Sequence, residues 1–472
     1  GLLRSRTLHS FLILVNDSMD IASSAARHQT LNSLLLFAMT VLVSLAAVAA
    51  AEPPSVSALQ YLLKGRVVDS ADQPLPEVRV GLRSARVVTH TDADGRFALT
   101  FKPDKPLSKD RTNTYEWIEF DKEGLLGQTI EIRELAIFDK PLKATLQPVV
   151  VTADRAEYTA RLSMGVTLPS IAAPKDFSLI PDEQWQQWLA TLDARKQTGD
   201  DTEQVVFQAY IPEEAKKLRA VFLLTRHGIG SIDHPRLRDF AKRNSVALVS
   251  VKGNPVQRGF YPVDLLDEPM ARLGEMLKHP ELPALPVISF GHSNGTGFSG
   301  IIASQRPDRT LAWISYHSGA AFHLQFPGVE QVPGLVMHGL IDPFFKNGQE
   351  PTVKHLRQQR NAPIVMMLEA NVAHGPVDKD QNATWDFIAA FAEAALRTRL
   401  NEDGTVKPVV IEKGWLGANY DPGKGGQQEL GIAPYADFKG DRSVANWLPD
   451  EAFAAVWQRY GKTDPRPVVS GR

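Results

Sequence analysis

The chain has 472 residues, 43% of them hydrophobic and 22% charged, which is ordinary globular composition with length for two or three domains. A formal net charge of −2 offers no global field for nucleic acid or anionic lipid, and no basic run interleaved with aromatics marks a nucleic-acid surface. The chain has no cysteine, which excludes disulfides, zinc–thiolate sites, a cysteine nucleophile and a lipidated N-terminal cysteine.

Residues 34–51, LLLFAMTVLVSLAAVAAA, form the long apolar stretch. Arg27 and His28 precede it, and Ala49-Ala50-Ala51 closes it before Glu52-Pro53-Pro54. A charged flank, an apolar centre and an A-x-A site predict a secretory signal peptide over 19–51 rather than a membrane anchor. Residues 1–18 then read as an upstream extension, with Met19 the natural start of the signal. The expected destination is the periplasm or the medium, with no stable membrane span once the signal is cleaved.

Residues 56–152 are β-rich. In YLLKGRVVDSADQPLPEVRVGLRSARVVTHTDADGRFALTF, apolar residues alternate with polar ones and Asp/Gly turns interrupt them about every ten positions. The pattern predicts a small antiparallel β-sandwich, with Asp94-Gly95 at a hairpin and further strands near Tyr115–Phe120, Thr129–Ile132 and Leu142–Val151. Asp92 and Asp94 lack the spacing of a calcium loop and are expected as turn residues. The segments GRVVDSADQPLPEVRV, TDADGRFAL and PLKATLQP resemble the carboxypeptidase regulatory-like domain, a transthyretin-like sandwich. That resemblance implies a spacer or adhesive module and no chemistry of its own.

Residues 153–202 are expected to be a linker carrying one helix, DEQWQQWLATLDARK, with Trp185, Trp188 and Leu189 on one packing face. From residue 203 to 400 the pattern changes to strand-length apolar runs alternating with helical stretches. Strands are expected at Val205–Ile211, Ala220–Thr225, Val246–Val251, Val287–Phe290, Thr310–Tyr316, Gly334–Met337 and Ile364–Leu368. Helices are expected at 235–243, 264–278, 297–305, 349–360 and 383–399. Fully apolar strands between helices predict an α/β fold, a doubly wound and mostly parallel sheet, with ligands at the strands' carboxyl ends.

Ser293 stands at such an end, in PVISFGHSNGTGFSG. Gly291 and Gly295 flank it at −2 and +2, where a strained strand-to-helix turn needs small residues. A base is expected after the last strand, and His374 lies there, in Ala373-His374-Gly375. An acid is expected after an earlier one, and Asp342 follows GLVMHG in Leu340-Ile341-Asp342-Pro343. Asp378 is a second, weaker candidate acid, being close in sequence to His374. The order Ser293, Asp342, His374 is that of a nucleophile-elbow triad. Asn294 would supply one backbone N–H of an oxyanion hole. Gly228 or Ile229, after the strand AVFLLT, would supply the other, with His227 orienting that loop. Tyr316, His317 and His323 would line the pocket, and Tyr261 would belong to a wall. No acid–histidine cluster has metal-ligand spacing, and neither metal nor organic cofactor is expected.

The text HGIG, GHSNG, GLIDP and AHG resembles the α/β-hydrolase superfamily over about residues 200–400. Within it, the likeness is to esterases of the polyhydroxybutyrate-depolymerase, feruloyl-esterase and dienelactone-hydrolase kinds. The chain departs from the secreted depolymerases in lacking cysteine, and from dienelactone hydrolases in having serine as nucleophile. The resemblance implies an exported serine esterase, a carboxylic ester hydrolase acting on polysaccharide or phenolic esters, carbohydrate-linked substrates among them. A serine peptidase of the same fold, or a surface carbohydrate-binding protein that has lost catalysis, are the alternatives. Residues 401–472, rich in Trp, Tyr, Pro and Gly, form a C-terminal extension, read either as packed on the domain surface or as a flap over the pocket.

Overall fold

The computed structural model describes residues 60–82, 87–102, 116–132, 140–163, 180–181, 183–187, 190, 202–225, 228–252, 265–319, 321–345, 348–369, 372–421 and 429–463. The expected upstream extension and signal peptide, together with Trp188, Leu189, His227 and Tyr261, lie outside them.

The first nine strands are β1 (Tyr61–Val68), β2 (Arg79–Leu82), β3 (Val87–His90), β4 (Arg96–Phe101), β5 (Glu116–Asp121), β6 (Leu125–Leu126), β7 (Gln128–Ile132), β8 (Leu142–Thr145) and β9 (Gln147–Pro148). They form two small sheets, ordered β4-β1-β8 and β3-β2-β5-β7, and a pair β6-β9. Leu63, Val67 and Leu99 from one sheet share a core with Val80, Ile118 and Phe120 from the other. Two details differ from the sequence reading. β1 pairs with β8 in parallel, so the unit is not purely antiparallel. Asp94-Gly95 is not a hairpin either, because β3 and β4 belong to different sheets. The turn is a corner. Asp92 Oδ1 accepts the N–H groups of Asp94 (3.0 Å) and Arg96 (2.8 Å), and Gly95 takes a φ of +72°.

The large sheet holds β10 (Val150–Val151), β11 (Arg155–Ser163), β12 (Thr202–Tyr210), β13 (Ala220–Thr225), β14 (Val246–Lys252), β15 (Val287–His292), β16 (Thr310–Tyr316), β17 (Gly334–Gly339) and β18 (Ile364–Glu369). Their order is β10-β11-β12-β14-β13-β15-β16-β17-β18. Pairing is parallel from β14 through β18 and antiparallel among β10, β11, β12 and β14. The expected linker at 153–202 therefore contains a nine-residue strand of this sheet. Ala156, Tyr158 and Leu162 bury one face of it while Arg155, Glu157 and Arg161 alternate on the other, and that charged face disguised it in the sequence. Trp185 is buried against Phe326, with ring centroids 4.8 Å apart.

Among the described residues the longer helices are, in chain order, α1 (Pro235–Asn244), α2 (Glu268–Leu277), α3 (Thr296–Gln305), α4 (Gln349–Arg360), α5 (Asn382–Arg399) and α6 (Glu451–Thr463). Alternation along β13 shows how they cover the sheet. Ala220, Phe222 and Leu224 face the core that includes α1, α5 and α6, whereas Val221 and Leu223 face the core that includes α2 and α3. α3 is buried from Thr296 through Ala303, so its small and apolar residues surround it on every side instead of forming one stripe. The strand order reverses at β13, which lies between β14 and β15. The ends of β13 and β15 thus border the crevice where open α/β sheets bind ligands.

The C-terminal extension adds β19 (Trp415–Gly417), β20 (Ile432–Pro434) and β21 (Asn446–Leu448) as a three-stranded antiparallel sheet, and then α6. Leu448, Phe453 and Trp457 complete the core beside α5. Buried Arg357 of α4 donates to Asn446 Oδ1 (2.6 Å) and to the carbonyl of Val444 (2.9 Å). The indole N–H groups of Trp447 and Trp457 donate to the carbonyls of Ile411 and Met366, at 3.0 and 3.3 Å. These aromatics pack inward. Among the described residues, no helix is long and apolar enough to cross a membrane.

Candidate active site

β15 ends at His292, a short 3-10 turn spans Ser293–Gly295, and α3 begins at Thr296. Ser293 has a φ of +53°, a left-handed conformation that a side chain adopts only under constraint. The neighbours supply the constraint. A Cβ on Gly291 would run into the carbonyl oxygen of Gly295, and one on Gly295 would meet the side chain of Thr225 at the end of β13. Thr296 Oγ1 donates to the Ser293 carbonyl at 2.7 Å and closes the turn. The hydroxyl of Ser293 is thereby presented at the strand end.

His374 follows β18, and its Nε2 lies 2.7 Å from Ser293 Oγ. Its Nδ1 lies 2.7 Å from Asp342 Oδ2. A carboxylate only accepts, so Nδ1 carries the proton and Nε2 is left to accept from the serine hydroxyl. Asp342 is fully buried at its side chain, and its Oδ1 accepts the N–H of Phe344 at 2.9 Å. Burial pushes its carboxyl up, but the nearby His317 ring and hydrogen bonds from the Phe344 N–H and His374 outweigh this and hold it well below the usual carboxylate range. Asp378 does not approach the triad as an acid. Its Oδ2 accepts the N–H groups of Asn382 (2.6 Å) and Ala383 (3.3 Å) at the start of α5.

The loop after β13 carries Gly228 and Ile229. The N–H of Ile229 donates to His292 Nδ1 at 3.2 Å, which engages that N–H within the loop. Gly228 has a φ of +61°, and a Cβ there would collide with the His292 ring. His292, directly before Ser293, thus holds the loop by a hydrogen bond, as was expected of His227. Its position after an apolar strand was the available signal.

Tyr316 and His317 were expected to line a pocket and are instead fully buried. The hydroxyl of Tyr316 donates to the carbonyl of Gly375 at 2.9 Å, which fixes the loop bearing His374. His317 has a φ of +49°. Its Nε2 is 2.8 Å from Glu369 Oε2 and its Nδ1 is 3.4 Å from Asp342 Oδ2. Burial disfavours its charge, but the hydrogen bond it donates to Glu369 and the negative charges of Asp342 and Glu369 raise its pKa above the ordinary histidine value. His323 is buried beside Thr296 Oγ1 at 3.1 Å, and desolvation pushes it down to about 4. Glu369, His338 and Tyr460 were not singled out in the sequence. Among the described residues, the one trio of metal-ligand-type side chains within 4.8 Å is His317, Asp342 and His374, and hydrogen bonds and ion pairs within the site already engage those atoms. Phe344 is 40% exposed and sets its ring edge-on to His374, 4.9 Å between centroids, giving the site an apolar wall.

No protein-family model and no curated protein sequence matches the chain. Among solved structures, it is similar to an S-formylglutathione hydrolase from Agrobacterium tumefaciens at 13% identity and a TM-score of 0.32, covering 53% of this chain and 96% of that one. It is also similar to Est1E from Butyrivibrio proteoclasticus at 13% identity and a TM-score of 0.30, covering 41% of this chain and 95% of that one. A third likeness is to a dienelactone hydrolase-like promiscuous phosphotriesterase, P91, from metagenomic libraries, at 16% identity and a TM-score of 0.29, covering 39% and 90%. At these scores the chemistry is read from the site's own side chains.

Proposed function

We propose that the protein is a serine hydrolase that cleaves carboxylic esters through an acyl-enzyme on Ser293. One observation carries this reading: His374 bridges Ser293 Oγ and Asp342 Oδ2 at 2.7 Å on each side. In the reaction, His374 Nε2 takes the hydroxyl proton as Ser293 Oγ attacks the ester carbonyl. The oxyanion is held by the N–H groups of Asn294 and Gly228, each contributing about 3 kcal/mol in the transition state. Collapse expels the alcohol, which receives the proton from His374. Water, deprotonated by the same ring, then attacks the acyl-serine and releases the acid. Asp342 keeps His374 in the required tautomer and stabilises its imidazolium.

The exposed ring of Phe344 beside His374 favours a phenolic or other apolar ester over a bare acetylated sugar. Residues 19–51 are read as the export signal, and the N-terminal β unit as a carboxypeptidase regulatory-like spacer. The test is hydrolysis of p-nitrophenyl butyrate and a panel of feruloyl and acetyl-sugar esters. The wild type is expected to turn over the apolar esters faster, and Ser293→Ala to lose at least about 10³-fold in kcat. Equal turnover by Ser293→Ala would contradict the assignment.

A further inference from the structure

Behind the triad lies a second carboxylate–histidine pair that the mechanism above does not use. His317 at the end of β16 sits between two acids: its Nε2 is hydrogen-bonded to Glu369 Oε2 at the end of β18 (2.8 Å), and its Nδ1 is 3.4 Å from Asp342 Oδ2 after β17, an ion-pair contact without hydrogen-bond geometry. Carboxylates only accept hydrogen bonds, so this placement suits a ring protonated on both nitrogens. The remaining oxygen of Glu369, Oε1, accepts the hydroxyl of Tyr460 from α6 at 2.7 Å. All the members are held. His338 of β17 stacks parallel to His317 at 5.4 Å, and Tyr316 stacks on it at 4.1 Å.

We propose that His317, clamped by Glu369, is a positioning residue that fixes the Asp342 carboxylate toward His374; this rests on the serine-hydrolase reading above. The reason is electrostatic as well as geometric. Asp342 has no exposed side-chain surface, and a buried carboxylate needs charged or hydrogen-bonding partners to stay ionised. When His374 rests neutral, the cationic ring of His317 supplies one. Glu369 keeps that ring charged, and Tyr460 keeps Glu369 in place. Burial comes first among the influences on His317, and the two acids overcome it.

The groups facing the His317 ring are Asp342, Glu369, His338, Tyr316, His292 and His374, from β15 through β18 and the loops after β17 and β18. Those facing His374 are Asp342, His317 and His292. The rings of His317 and His374 are 6.1 Å apart. Removing the His317 charge favours protonation within the site, so the acid limb of kcat/KM moves to higher pH.

The test is the pH profile of p-nitrophenyl butyrate hydrolysis by full-length wild type, His317→Gln and Glu369→Gln, with melting temperatures taken in parallel. His317→Gln is expected to lower kcat about tenfold or more with little change in KM, and to raise the acid limb by about one pH unit. Glu369→Gln, nearly isosteric, is expected to shift the limb in the same direction by less, because it discharges His317 but also removes a more distant anion. Should His317→Gln fail to fold, Glu369→Gln decides alone. An active wild type whose variants keep the wild-type kcat and pH profile overturns this proposal and leaves the hydrolase reading standing. So does a lowered melting temperature with an unmoved profile, which would assign the pair to packing. An inactive wild type overturns both.

Discussion

Ser293 and His317 both carry left-handed backbones, at φ +53° and +49°, and both stand where a strand of the large sheet ends. Such residues persist where their surroundings over-determine them, and here the surroundings are the triad and its supports. His323 shows a different residue-scale effect. It is buried neutral, with desolvation holding it down to about 4 against an ordinary 6.5. The unfolded chain therefore binds a proton that the folded chain refuses between those values. Stability contributed by keeping His323 neutral is complete above pH 6.5 and is lost as pH falls toward 4, up to about 3 kcal/mol. Asp342, whose pKa is also depressed, contributes in the same sense, with stability present above the ordinary carboxylate range and lost only at still lower pH. The two windows separate. Urea unfolding of His323→Gln between pH 7 and 4.5 is expected to show a flatter loss of stability than the wild type. Parallel curves would show that His323 is not the group responsible.

At the scale of elements, β13 and β16 begin and end where the sequence placed them, and α4 spans the expected residues. Their legibility has a physical cause. A strand of a covered parallel sheet is apolar on both faces, and AVFLLT and TLAWISY show that directly. β11 was hidden because its partner face carries Arg155, Glu157 and Arg161, which resembles an exposed linker. The corner at Asp94-Gly95 was misread because local turn chemistry does not say which sheet the next strand joins. α5 makes the packing testable. Trp385 is fully buried on it, 5.1 Å from Phe290 and 6.4 Å from Phe222, both on strands leading to the site. Trp385→Ala is expected to cost about 3 to 5 kcal/mol by urea titration. A loss below about 1 kcal/mol would mean that this face is not the packed core described.

At the scale of the molecule, the reaction site is assembled from one sheet edge and supported from far along the chain. The three triad residues were legible because each follows an apolar strand, and strand ends converge in a doubly wound sheet. Their support was not. Glu369 lies just past an apolar run like any strand terminus, and Tyr460 reaches it from a helix in a segment read as an optional extension. Nothing in the local text joins them. The pocket roles of Tyr316 and His317 failed for a related reason: a strand end brings a residue near the site but does not say on which side of it. The N-terminal β unit has its own core and joins the large sheet through polar contacts, among them Arg161 to Asp121 at 2.8 Å and Gln204 to the Phe120 carbonyl at 2.7 Å.

An activated Ser293 hydroxyl would react with a fluorophosphonate probe, and peptide mapping would locate the label. The folded protein is expected to take up one label, on Ser293, and to lose it in His374→Ala. Folded protein that remains unlabelled, or that is labelled at another serine, would contradict the account.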